Sequence, residues 1–173
     1  FGMLAAQALM QRIAPSRIVL LSRSPGKLSA FAQRGAQVRF SDLDRIADLP
    51  EALGGIATLL MISTNSLGRR VAQHAAAMEA ARAAGVMRIV YTSFLGAEPG
   101  NPALVARDHC ATEHFLRASG LEWTILRNAQ YAEAILDVIM PNVLASGQWR
   151  SSSGEGRIAP VARQDCAECA VAA

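Results

Sequence analysis

The chain has 173 residues, 51% of them hydrophobic and 18% charged, with a net charge of +3; that is enough apolar material for one sizeable core and too much for a disordered segment. Its longest apolar stretch, Ile56 to Ile62, is interrupted by Thr58 and falls short of the roughly 20 residues that span a bilayer, and no basic-then-apolar leader opens the chain, so a cytoplasmic protein with no membrane partner is expected. The arginines are scattered among acids, with only Arg69 and Arg70 adjacent, which argues against nucleic acid, and three cysteines leave one unpaired at best, which argues against a disulfide framework.

Phe1 and Gly2 run straight into a helical pattern from Met3 to Ile13. With no strand ahead of that helix, the chain is expected to begin inside one structural unit and to end inside another over Asp165 to Ala173. Ile18 to Leu21 reads as a short buried strand, and Ser24-Pro25 starts a helix to Arg34 that Gly35 caps. Gln37 to Phe40 is the next strand, Leu43 to Leu53 a helix with Pro50 near its last turn, and Thr58 to Ile62 a strongly apolar strand. Ser66 to Ala84 is predicted as the longest helix, with Val71, Ala75 and Met78 on its apolar stripe. Arg88 to Thr92 is a strand, Ala103 to Ser119 a helix and Glu122 to Leu126 a strand. Strand and helix alternate throughout, and the helices end in Ala84-Gly85-Val86 and Ser119-Gly120-Leu121. This pattern predicts an α/β fold with a Rossmann-type, doubly wound parallel sheet and right-handed crossovers.

Ligands bind such sheets beyond the carboxyl ends of the strands, which directs attention to a small set of residues. Gly2 stands where a dinucleotide fingerprint places its last glycine, at the mouth of the first helix. Arg23 follows a strand directly, among Ser22, Ser24 and Lys27 and without a carboxylate; a cation there suits the 2′-phosphate of NADP, although a solvated arginine in a turn fits equally. Asp42 suits either an adenine amino group or an N-cap, and Ser63, Thr64 and Asn65 suit either a cofactor ribose or an N-cap cluster. Thr92 and Ser93 lead into a loop with Pro99, Gly100 and Pro102 that is long enough to wall a substrate pocket. Asn128 closes the last strand. His109, Thr112, Glu113 and Leu116 share one helical stripe, and His109 is the general-acid candidate on it, against the alternative of a satisfied surface histidine. His74, mid-helix among alanines, reads as structural. Cys166 and Cys169 have redox-motif spacing but read as packing residues, and no metal site is expected. Lys27 is the sole lysine, and Tyr91 and Tyr131 the sole tyrosines, so a Tyr-x-x-x-Lys proton shuttle is excluded.

Read together, Ile18 to Lys27, Leu59 to Ser63, Ala80 to Val86, Val90 to Ser93, Asp108-His109 with Thr112-Glu113, Ser119 to Asn128 with Tyr131, and Gly154 to Ala159 leading to Arg163-Gln164-Asp165 resemble the NmrA-like branch of the atypical short-chain dehydrogenases, closest to the bacterial NADPH:quinone oxidoreductases. The resemblance implies an NAD(P)-binding Rossmann-like domain over 1–145 that lacks its first strand, and the start of a smaller C-terminal substrate region over 146–173. It implies NADPH as cofactor, held by Gly2, Arg23, Lys27, Asp42, Ser63, Thr64, Asn65, Thr92 and Ser93. Hydride transfer to a small-molecule quinone would take place beside Ser93, His109, Asn128 and Tyr131, and a homodimer is the candidate assembly. Members often carry a lysine where His109 and His114 stand here, a departure that bears on proton transfer. The same family contains cofactor-sensing regulators that bind NADP(H) without turnover, and these supply the alternative reading.

Overall fold

The computed structural model describes residues 1–150 and 154–173, and its strands all pair in parallel. Helix α1 (Gly2–Arg12) leads to strand β1 (Val19–Ser22), which pairs with β2 (Gln37–Phe40) in the register Val19 opposite Gln37. Strands β3 (Thr58–Met61), β4 (Arg88–Phe94) and β5 (Glu122–Asn128) form a second sheet in that order, with Thr58 opposite Arg88 and Arg88 opposite Glu122. The parallel α/β architecture expected from the alternation is therefore present, in two pieces that do not hydrogen-bond to each other among the described residues.

Four further helices return the chain between strands: α2 (Ser29–Gln33), α3 (Leu49–Ala52), α4 (Arg70–Ala83) and α5 (Leu104–Ala118). Helix α4 ends in a Schellman motif. Gly85 adopts a φ of 81°, its N–H bonds to the Arg82 carbonyl, and the Val86 N–H bonds back to Ala81. A side chain at Gly85 would be strained in that conformation, and the reversal delivers Val86 to the core one residue later.

Three helices are shorter than their sequence patterns suggest. The Leu43 to Leu53 segment yields only a 3₁₀ turn, Ile46–Asp48, followed by α3. The Asp42 carboxylate accepts the Asp44 N–H at 3.0 Å, which holds the chain in a turn, and Pro50 has no N–H to continue a helix toward it. Pro25–Leu28 is likewise a 3₁₀ turn ahead of α2. Helix α4 begins at Arg70 rather than Ser66 because Gly68, at a φ of 80°, stands outside helical space. With 14 residues it is slightly shorter than α5, which has 15.

The largest core cluster joins Leu49 of α3 and Leu53 just after it, Met61 of β3, Ala77, Met78 and Ala81 of α4, Ile89 and Tyr91 of β4, and Leu116 of α5. A second cluster gathers Ala6 and Met10 of α1 with Ile18, Phe31 and Ala36. Alternation along β4 thus sends Ile89 and Tyr91 toward α4 and α5. The inward face of α4 is Arg70, Gln73, His74, Ala77, Met78 and Ala81, while Val71 and Ala75 of the expected stripe are only half-buried. The helix is rotated because three polar residues find buried partners, described below.

After β5 come α6 (Ala132–Ala134), a π-helical turn (Ile135–Ile139), α7 (Met140–Ser146) and α8 (Arg163–Ala172), and α8 packs against α1. No helix among the described residues is long and apolar enough to cross a membrane.

Leu116 is fully buried and touches the core from α5. Leu116→Ala is expected to destabilise the fold by about 3 kcal/mol, read from the urea unfolding midpoint; a loss below roughly 1 kcal/mol would mean that the site collapses around the truncation.

Candidate functional site

A cavity of about 500 Å³ opens between the two sheets, with Leu21 and Ser22 on one side and Leu59 to Met61 on the other. Its rim is made by the carboxyl ends of β1, β2 and β3. Arg23, Asp42, Ser63, Thr64 and Asn65 all line it, so five residues selected from the sequence meet at one site. Gly2 adjoins it: a Cβ added there would meet Ile62 Cδ1 at 3.4 Å, an ordinary contact, so packing alone does not require glycine. Lys27 lies exposed on the Pro25–Leu28 turn, outside the cavity lining.

The loop after β3 is held by backbone and side chain together. Ser63 donates its N–H to Thr92 Oγ1 at 2.9 Å. Thr64 is gripped by three residues of α4: its N–H donates to His74 Nε2 at 3.1 Å, its carbonyl accepts from Arg70 Nε at 2.6 Å, and its hydroxyl donates to Gln73 Oε1 at 2.9 Å. Gln73 in turn donates to Asp44 Oδ1 at 2.6 Å and so ties the loop beyond β2 to the same helix. The alternative N-cap role of this loop is not realised, because α4 starts at Arg70 and no side chain caps it.

Beneath that loop lies a buried polar chain. Tyr91 Oη lies 2.6 Å from His109 Nδ1 and 3.5 Å from His74 Nδ1, and His74 Nδ1 lies 3.2 Å from Thr112 Oγ1. Burial, then the nearby His109 and Arg70, pushes His74 down to about 3. Burial, then Arg70, pushes His109 down to about 4, against the opposing pull of Glu113. Burial also pushes the Tyr91 phenol up. Both histidines are neutral at pH 7, and His109 can offer a neutral N–H but not an imidazolium. Neither is a surface residue, at 0% and 4% exposure for His74 and His109. Arg70 Nη1 and Asp108 Oδ2 stand 3.7 Å apart in the same region, both sealed from solvent and without a hydrogen bond.

The stripe His109, Thr112, Glu113 and Leu116 is buried throughout, as its spacing predicts. Ser93 is buried with it, and its hydroxyl donates to Glu113 at 2.6 Å. Glu113 also accepts from Arg127 and Arg117. Burial pushes the Glu113 carboxyl up, but the bonds from Arg127, Ser93 and Arg117 together outweigh it and hold it below the ordinary range. Thr92 and Ser93 are therefore committed to supporting bonds and do not present free hydroxyls. Asn128 Nδ2 donates to Tyr131 Oη at 2.8 Å, and Tyr131 stands between the Phe1 ring, centroids 6.1 Å apart, and the Arg163 guanidinium 5.4 Å from its own centroid. Burial raises the Tyr131 phenol above its ordinary value. Arg70, Gln73, His74, Tyr91 and Arg127 escaped the sequence reading as site residues. Arg70, Gln73 and His74 lie off the apolar stripe expected of α4, so no local signal marked them.

Comparison with known proteins places this geometry. The NAD(P)H-binding family matches residues 2–173. The chain is 39% identical over 169 residues to quinone oxidoreductase 2 of Escherichia coli, covering 98% of this chain and 58% of that protein. The crystal structure of an Escherichia coli NADPH-dependent quinone oxidoreductase complexed with NADPH superposes with a TM-score of 0.89 at 39% identity, over 98% of this chain and 59% of that one. A Citrobacter triphenylmethane reductase complexed with NADP(H) gives a TM-score of 0.87 at 32% identity, over 98% and 60%. An NmrA-like oxidoreductase of Aspergillus flavus is 38% identical over 118 residues, covering 65% of this chain and 38% of its own length. The chain thus spans about three fifths of the first relatives it matches.

The buried histidines make stability pH-dependent. Each has an ordinary value of 6.5 in the unfolded chain and a lower one when folded, so the unfolded state takes up protons first as pH falls. Stability is expected to drop from pH 6.5 toward about 4, by on the order of 1.4 kcal/mol per pH unit for each histidine. A thermal unfolding midpoint that stays flat across that window would show that the two rings are protonated in the fold.

Proposed function

The chain belongs to the NAD(P)H-binding family, in its NmrA-like branch, and on that premise we propose that it forms the cofactor-binding part of a cytoplasmic NADPH-dependent reductase acting on a quinone. The observation that carries this reading is Arg23. It stands at the carboxyl end of β1 on the cavity wall, exposed, with no carboxylate partner among the described residues, which suits the 2′-phosphate that distinguishes NADPH from NADH. Lys27, four residues on, adds a second cation near that end.

The other residues fit the same cofactor. The first turn of α1 carries no acidic side chain, so its free amides favour a pyrophosphate beyond Gly2. Asp42 offers an acceptor to an adenine amino group, and Ser63, Thr64 and Asn65 offer small polar groups along the crevice. NADPH, when bound, supplies the hydride. What this chain supplies is position and hydrogen bonding. Thr92 fixes the Ser63 backbone, and Ser93 steadies Glu113 and through it Arg127, one strand away. Asn128 orients the Tyr131 phenol, whose raised pKa keeps its proton in place as a donor. His109 contributes a neutral N–H. A reduced quinone is a phenolate-like anion whose conjugate acid has a pKa of about 10 by analogy with tyrosine. Neutral donors of this kind are adequate for it, and the missing lysine is not needed.

Two experiments on the whole protein test the reading. Mixing NADPH with 1,4-benzoquinone is expected to consume NADPH absorbance faster than NADH; tight binding without turnover would sink the reductase and leave a cofactor sensor. Arg23→Ala is expected to raise the Kd for NADPH about tenfold, the loss of one charge-assisted contact, while the Kd for NADH is unchanged. Equal weakening of both cofactors would remove Arg23 from the 2′-phosphate.

A further inference from the structure

Hydrogen-bond donors in the buried chain can be assigned one at a time, starting from an atom that leaves no choice. The backbone N–H of Thr64 is a donor, so His74 Nε2, 3.1 Å away, must be its acceptor. The neutral His74 ring then carries its hydrogen on Nδ1. Thr112 donates its own hydroxyl hydrogen to the Asp108 carbonyl at 2.9 Å, and its oxygen is free to accept from His74 Nδ1 at 3.2 Å. Tyr91 cannot donate to His74 Nδ1, which is already protonated. The phenol also neighbours the Thr112 hydroxyl, but its 2.6 Å separation from His109 Nδ1 lies in the range of an O–H donor and is short for an N–H donor, so its hydrogen goes to His109 Nδ1. His109 therefore carries its hydrogen on Nε2, an atom with no hydrogen-bond partner among the described residues. The hydrogens thus run from the cavity loop through His74 to Thr112 and the Asp108 carbonyl, and separately from Tyr91 to His109, whose Nε2–H is left over.

We propose that His74 is a positioning residue for the reduction: its Nε2 anchors the Thr64 loop on the cofactor cavity, and its Nδ1–H sets the hydrogen order that leaves His109 Nε2–H unpaired as a donor. This rests on the functional reading above. Arg70 and Gln73 complete the grip from the same helical face, so Thr64 has its N–H, carbonyl and hydroxyl all held by residues spaced i, i+3 and i+4. The groups facing His74 from the packed elements are Arg70 on its own helix, Tyr91 from β4, and Thr112 with His109 from α5. None of these supplies a hydrogen-bond acceptor that could replace Nε2 for the Thr64 N–H.

The test uses the whole protein with histidines labelled with nitrogen-15 and two substitutions of one residue. His74→Gln keeps an acceptor for the Thr64 N–H, and His74→Leu removes it. With folding verified by circular dichroism, His74→Leu is expected to raise the Kd for NADPH about tenfold, the cost of one half-buried amide left without its partner, while His74→Gln stays within about threefold of the parent. Equal NADPH affinity in all three folded proteins would overturn the anchoring role. The nitrogen-15 spectrum of the parent without cofactor decides the hydrogen order: a proton on Nδ1 of His74 and on Nε2 of His109 is expected, and the opposite pattern at either ring overturns it. A parent protein that fails to bind NADPH would refute the functional reading and the positioning role together, and the spectrum would then judge the hydrogen order on its own.

Discussion

The burial of both faces of β4 is the constraint from which the rest of the structure follows. Ile89, Val90, Tyr91, Thr92 and Ser93 are all shielded from solvent, and three of the five carry hydroxyls. A hydroxyl removed from water needs a partner, and in a strand covered by helices the partner must come from those helices or from the neighbouring strands. Tyr91 recruits His109, Ser93 recruits Glu113, and Thr92 takes the amide at the end of β3. Each recruited group then requires satisfaction in turn. Glu113 draws in Arg127 from β5 and Arg117 from its own helix. The polar interior is thus a set of consequences that spread from one strand, and it connects β4 with the end of β3, with β5, and with α4 and α5.

That spread explains what could and could not be read in advance. The alternation of strands and helices was legible because each apolar run is short and bounded by glycine caps, which is a local property. The position of the cavity was legible for the same reason, since the carboxyl ends of β1, β2 and β3 follow from knowing the strands. The true inward face of α4 was not. His74 among alanines looks inert until Thr64, ten residues earlier, and Thr112, on another helix, are brought to it. Ser93 was correctly placed at a strand end, but its commitment to Glu113 depends on a residue twenty positions away. The Leu43 to Leu53 helix failed on local chemistry: the Asp42 side chain competes with the backbone for hydrogen bonds.

The electrostatics divide the crevice into two unlike halves. Around β1 the cations are exposed and solvated, suited to a diphosphate ligand that arrives carrying charge. Around β4 and α5 the titratable groups are buried and held neutral or paired, so the interior adds no net field of its own beyond the Arg70 and Asp108 pair. A ligand spanning the two halves would meet attraction at one end and fixed dipoles at the other, which favours binding by the first and orientation by the second.

Thr64 is held wholly from α4, whereas Asn128 and Tyr131 are held by each other and by the chain beyond β5. The two sets share no hydrogen bond. Substitution around Asn128 and Tyr131 can therefore proceed without disturbing the Thr64 loop, while Arg70, Gln73 and His74 each hold a different atom of one residue. A lineage built on this plan is free to vary the chain beyond β5 and constrained along one helix face.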